Sequence, residues 1–149
     1  MSPPPALALS GALLQAFLAT RYTALTPFGP VEIRIGKRHP VLERELARCG
    51  HDRWVYIGAC NPRAQLLDDA HNRRRHLHFG RLLARLGRPG WSGHGLPADA
   101  AWPPEPAWLV PGLDAALAHR LALRYGQLAY VCGDRETVAE LRCSGLSSP

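Results

Sequence analysis

The sequence is almost without lysine: Lys37 is the one lysine among 18 lysine and arginine residues, and they face 12 acids, for a net charge of +6. Alanine, leucine, proline and glycine are abundant beside the arginines, the mix that codon bias in a GC-rich genome produces, so part of the arginine excess carries no functional message. Net charge bears on partners and solubility, not on fold. The two readings are a soluble arginine-using surface and a surface that meets a polyanion.

Cysteine is sparse as well. Cys49, Cys60, Cys132 and Cys143 are the four present, and none forms a C-x-x-C pair. That spacing offers neither a disulfide framework nor a standard zinc pattern. Long apolar runs are missing. The stretch 6–19 is short for a span, is interrupted by Gln15, has no positive residue before it and is followed by Arg21. It reads as an amphipathic first helix, with no membrane contact and a cytoplasmic location expected. Catalytic signatures are lacking too: there is no G-x-S-x-G, P-loop, G-x-G-x-x-G after a strand or H-E-x-x-H. His71, His76 and His78 cluster near Cys60 in sequence, but on a helical wheel His76 points away from the other two, and no metal or other cofactor is expected.

What is present is a globular composition, 46% hydrophobic and 20% charged over 149 residues. It suits one domain with its own core. Residues 1–9 read as a disordered lead, 10–142 as the globular part and 143–149 as a tail. Ser10 can cap a helix running to about Tyr22. Residues 31–35 alternate as a half-buried strand, and Pro40 opens a helix ending near Gly50 with Leu42 and Leu46 inward. Residues 54–60 (WVYIGAC) form the most continuous apolar run and read as a central strand ended by Asn61-Pro62. Asp68 and Asp69 suit the start of a long helix that Gly87 and Pro89 stop. Residues 90–106 read as a long loop with at most a short strand. Residues 108–110 are a strand, Asp114 caps a helix to Tyr125, residues 127–132 return as a strand, and residues 137–142 form an edge strand or a short helix. The expected fold is α/β, a small mixed sheet with helices mainly on one face.

The long helix gives the sharpest local inference. Phe79, Leu82, Leu83 and Leu86 share one face, and Asn72 and Arg75 fall on that same face one and two turns earlier. Buried polar groups need partners. Asn72 either ties down the Asn61-Pro62 turn or lines a pocket beside it; Arg75 either pairs with an acid such as Glu105 or meets a ligand. Glu105, set between prolines and near Trp102 and Trp108, is a candidate acid or base. Gln127 either reads a ligand edge or caps a backbone group. The opposite face carries Arg74, Arg81 and Arg85 with His78, a stripe that is either solvated or meets phosphates.

Several of these residues sit in an ordered series: Phe17 to Tyr22, the strand ending in Asn61-Pro62, Asn72 in the long helix, Trp102 and Glu105 before the strand at 108–110, and Tyr125-Gly126-Gln127 before the closing strand. From about Ser10 to Val131 this series resembles the bacterial domain-of-unknown-function family numbered three-two-nine-three. The resemblance implies no particular activity; it picks out Asn61, Asn72, Glu105 and Gln127.

The sequence therefore leads to a pocket at the junction of strand 54–60 and helix 64–86. Asn61, Asn72, Arg75, Trp102, Glu105 and Gln127 would bind a small polar or anionic ligand there, nucleotide-like or a metabolite, with Glu105 the candidate catalytic group. The alternative is a nucleic-acid-associated or protein-interaction module using Arg74, Arg81 and Arg85. Oligomeric state is not legible.

Overall fold

The computed structural model describes residues 9–148; of the expected lead over 1–9, residues 1–8 lie outside the described residues and Leu9 is buried against Leu128 and Ala129. Ser10 caps α1 (Gly11–Ala19), its hydroxyl oxygen accepting from the Leu13 amide. The helix stops three residues earlier than its apolar pattern suggests. Thr20 turns extended, and Tyr22, expected on the helix, is buried in strand β1 (Arg21–Thr26). Its hydroxyl reaches back to donate to the Phe17 carbonyl at 2.7 Å. That carbonyl also accepts from Thr20 N at 3.3 Å, so the hydroxyl is its second donor at the helix end. β1 turns tightly into β2 (Gly29–Ile33), and α2 (Pro40–Arg48) begins with proline in its first turn and the His39 ring accepting from Leu42 N.

Strand β3 (Arg53–Gly58) is followed by a 3-10 turn at Pro62–Ala64 and then α3 (Asp69–Arg85), which Asp68 caps. Next comes β4 (Trp91–Leu96), a full six-residue strand inside the stretch expected to be a long loop with at most a short strand. Glycine is there for contact rather than flexibility: a Cβ on Gly93 would lie 1.7 Å from the Thr23 carbonyl oxygen of β1. β5 (Glu105–Pro111), α4 (Ala115–Arg124, capped by Asp114), β6 (Ala129–Asp134) and β7 (Glu140–Cys143) complete the chain. Residues 137–142 thus contribute an edge strand, not a helix.

The seven strands form one sheet in the order β2-β1-β4-β5-β3-β6-β7, and every ladder is antiparallel. Parallel pairing is confined to a bridge between Ile35 and Ala139. That bridge, with Gly36 N donating to Ala139 O and Ala139 N to Lys37 O, joins the chain just after β2 to the chain just before β7. The two edges of the sheet meet, so the sheet curls. The fold is mixed α/β.

Both faces of the curl are covered, which explains the unbroken apolar run of β3. Trp54 and Tyr56 point into the concave core with Leu42 and Leu46 of α2. Val55 and Ile57 point outward, under Phe79 and Leu83 of α3 and Leu121 and Ala122 of α4. The two longest helices therefore share the convex face, while α2 fills the concave side around Trp54.

Candidate functional site

The site forms where β3 leaves the sheet. Asn61, Arg63 and Ala64 all have left-handed backbone, with φ of 47°, 55° and 60°. Such residues cost on the order of 1–3 kcal/mol each and persist only when their surroundings hold them. The Asn61 Oδ1 accepts from Leu67 N at 2.9 Å and from Asn72 Nδ2 at 2.8 Å, and Asn61 N donates to Asn72 Oδ1 at 3.0 Å. Arg63 N donates to Gly126 O at 2.7 Å. The two asparagines thus lock the turn to α3, and Asn61 is among the residue types that tolerate the left-handed region.

Glu105 opens β5, opposite Gly95 of β4. Its Oε2 accepts from Asn61 Nδ2 at 3.1 Å. Burial pushes its carboxyl up to about 7, with the Asn61 bond opposing. The expected charge pair with Arg75 does not form. Arg75 Nε donates to Ala59 O and Nη2 to Tyr125 O, both at 2.6 Å. The physical reason is the geometry behind the site. The carbonyls that end β3 and those that end α4 converge on Arg75, and a helix C-terminus carries the negative end of its dipole, which suits a guanidinium. Asn72 and Arg75 do face the sheet as the wheel predicts, but half-buried rather than enclosed.

Gln127 is buried, and its Nε2 donates to Cys60 O at 2.9 Å and Tyr125 O at 3.2 Å. Two carbonyls on one side fix which end of the amide is nitrogen, so its Oε1 faces away from them.

Two connected spaces meet at Glu105. A groove of about 530 Å³ has α1 residues Leu13, Ala16, Phe17 and Thr20 on one wall. Ala64, Leu66, Pro97 and Trp102 are opposite, with Asn61 and Glu105 in its floor. A smaller cavity of about 120 Å³ continues inward past Glu105 to Tyr22, Tyr56, Gly58 and Gln127. Of the residues expected from sequence, Asn61, Trp102, Glu105 and Gln127 line these spaces. Asn72 and Arg75 do not; they hold the turn and the strand end from behind. Sequence reasoning missed the α1 wall and the two tyrosines. Phe17 and Tyr22 carried a signal, but one helical stripe assigned both to the core.

The floor is rich in acceptors. The Tyr22 hydroxyl proton goes to Phe17 O, that of Tyr56 to Thr23 O at 2.9 Å, and that of Thr20 to Ala16 O at 2.7 Å. Asn61 Nδ2 is spent on Glu105 and Gln127 Nε2 on carbonyls. What remains is mainly acceptors, a carboxyl, an amide oxygen and hydroxyl lone pairs, beside the second Asn61 Nδ2 proton.

The histidine cluster disperses. His71 Nδ1 lies 2.8 Å from Asp68, His78 Nδ1 is 2.8 Å from the Tyr125 hydroxyl, and His76 stacks on Trp108 with ring centres 4.3 Å apart. Burial holds His76 down to about 4, so it is neutral at physiological pH beside Ser92. The four cysteines are free, and burial pushes the Cys60 thiol up to about 12. Among the described residues no three potential metal ligands gather, and no helix is long and apolar enough to cross a membrane. Arg74, Arg81 and Arg85 are exposed on the outer face of α3.

No curated protein and no solved structure matches the chain. One family model does, described as "Protein of unknown function (DUF3293)", over residues 57–130. The matched span runs from Ile57 in β3 to Tyr130 in β6 and contains Asn61, Asn72, Arg75, Trp102, Glu105 and Gln127; the chain belongs to this family.

Proposed function

We propose that the groove binds a small molecule with an apolar body and a cationic, hydrogen-donating head, such as a primary amine, with the head at Glu105. The observation that carries this reading is the spent donors of the floor. The Tyr22, Tyr56 and Thr20 hydroxyl protons, one Asn61 Nδ2 proton and both Gln127 Nε2 protons are given to the protein itself, so acceptors predominate around Glu105. A donor-rich cation satisfies such a floor, whereas an anion would meet Glu105 and unpartnered oxygens. The walls are mainly apolar, as small-molecule sites usually are. The anionic ligand suggested by an inward arginine loses its basis, because Arg75 lines neither space.

The test is calorimetry with n-butylamine, n-hexylamine and n-octylamine at pH 8, against hexanol and hexanoate. Amines are expected to bind, and each added methylene buries about 0.8 kcal/mol, a three- to four-fold gain per carbon. Glu105→Gln is expected to weaken hexylamine at least ten-fold at pH 8, since truncating one partner of a desolvated charge pair costs about 2–5 kcal/mol. Preference for hexanoate, or equal amine affinity in Glu105→Gln, overturns the reading.

A further inference from the structure

The convex face carries the clearest charge asymmetry in the molecule. Arg21, Arg38, Arg48, Arg53 and Arg142 each lie within 4.0 Å of an acid, and all of them sit on β1, α2, β3, β7 or the loop before α2. The arginines of α3 and α4 make no ion pair among the described residues. Their sequence explains it: residues 70–98 and 115–133 contain no aspartate or glutamate. Codon bias would raise arginine everywhere, but it would not confine the acids of these two helices to their N-terminal ends, at Asp68, Asp69 and Asp114.

The arginines stand in two rows. Arg74, Arg81 and Arg85 are exposed along α3, at offsets of about 10 and 6 Å given the helical rise. Arg120 and Arg124 are exposed about 6 Å apart along α4. Tyr125 ties the rows together. Its hydroxyl meets His78 Nδ1 at 2.8 Å, its carbonyl takes Arg75 Nη2 at 2.6 Å, and the Arg124 guanidinium lies 5.8 Å from its ring centre. The rows are thus joined through Tyr125, whose ring also meets Phe79 of α3 at 4.6 Å between centres.

We propose that the α3–α4 face binds double-stranded DNA through its backbone phosphates. Unpaired arginines release counterions from phosphates without reading sequence. Two rows on neighbouring helices suit phosphates of two strands. A single strand would call for exposed aromatic rings on which bases stack, and the exposed tryptophan of the described residues, Trp102, lies in the groove instead. This surface shares no residue with the groove, so it stands or falls separately from the amine site.

The test is fluorescence anisotropy of a labelled 24-base-pair duplex between 50 and 200 mM NaCl. The native chain is compared with the triple variant Arg74→Ala, Arg81→Ala, Arg85→Ala and with the control Arg38→Ala, Arg48→Ala. The substituted side chains are exposed, so circular dichroism is expected to be unchanged in all three. Native affinity is expected to fall steeply with salt. The triple variant is expected to bind at least ten-fold more weakly at 50 mM and to lose about two to three units of log–log salt slope, near 0.9 per phosphate contact. The control is expected to stay within two-fold of native. Equal loss in both variants overturns the proposal, as does tighter binding of a single strand of the same length. Binding of phosphatidylserine vesicles without duplex binding overturns it too.

Discussion

At the scale of the residue, Glu105 decides most. Its folded carboxyl titrates near 7 against an ordinary value of 4.5. Below 4.5 it is protonated in both the folded and unfolded chain, so no cost arises. As pH rises from 4.5 to 7 the unfolded chain releases a proton that the folded chain keeps, and native stability is lost progressively; above 7 the full cost persists. Glu105→Gln keeps an oxygen for Asn61 Nδ2 and removes the titration. The variant is expected to gain up to about 3 kcal/mol over the native chain at pH 8 and nothing at pH 4. Urea unfolding at the two pH values checks it; equal gains at both would place the carboxyl in water. The sequence made Glu105 conspicuous, as an acid among prolines and tryptophans. It suggested the wrong partner, because the pairing of Arg75 depends on where α4 ends relative to β3. That is a tertiary fact with no local signal.

At the scale of the element, the turn over residues 61–64 and the start of α3 act as one unit. Asn-Pro after an apolar run marked the end of β3, and the wheel placed Asn72 on the inner face. The left-handed backbone of Arg63 and Ala64 was not legible, since neither residue type advertises it. Arg63 is exposed and its φ is 55°, so Arg63→Gly removes strain without removing packing. It is expected to stabilise the fold by about 0.5–1 kcal/mol, read as a shift in urea midpoint at constant slope. A loss would mean that the arginine side chain anchors the turn. Strands β1 and β4 were hidden for a related reason. Tyr22 extended a helical stripe, and Gly93 and Gly95 read as loop. Yet Gly93 is the close approach that lets the two strands pair at all.

At the scale of the whole molecule, the curl makes the site. The bridge between Ile35 and Ala139 draws the sheet edges together. α2 fills the interior around Trp54, and beyond Tyr56 the interior continues as the small cavity behind Glu105. α1 buries none of its side chains fully and serves as the wall of the outer groove. Class and most elements followed from periodicity, caps and punctuation. Strand order and curl did not, because they rest on pairings between distant segments, such as β1 with β4 and β3 with both β5 and β6. The result is a molecule with an acidic, acceptor-lined interior on one side and an unpaired basic face on the other.

The claim that Glu105 receives a cationic head is tested most directly by carbon-13 NMR of the chain labelled at its glutamate carboxyls, titrated in pH with and without saturating n-hexylamine. The account predicts that one carboxyl signal, absent in Glu105→Gln, titrates near 7 in the free protein and moves toward 4.5 or below when the amine is bound, because a neighbouring cation favours the charged form. A Glu105 signal that titrates near 7 whether or not the amine is present would contradict it.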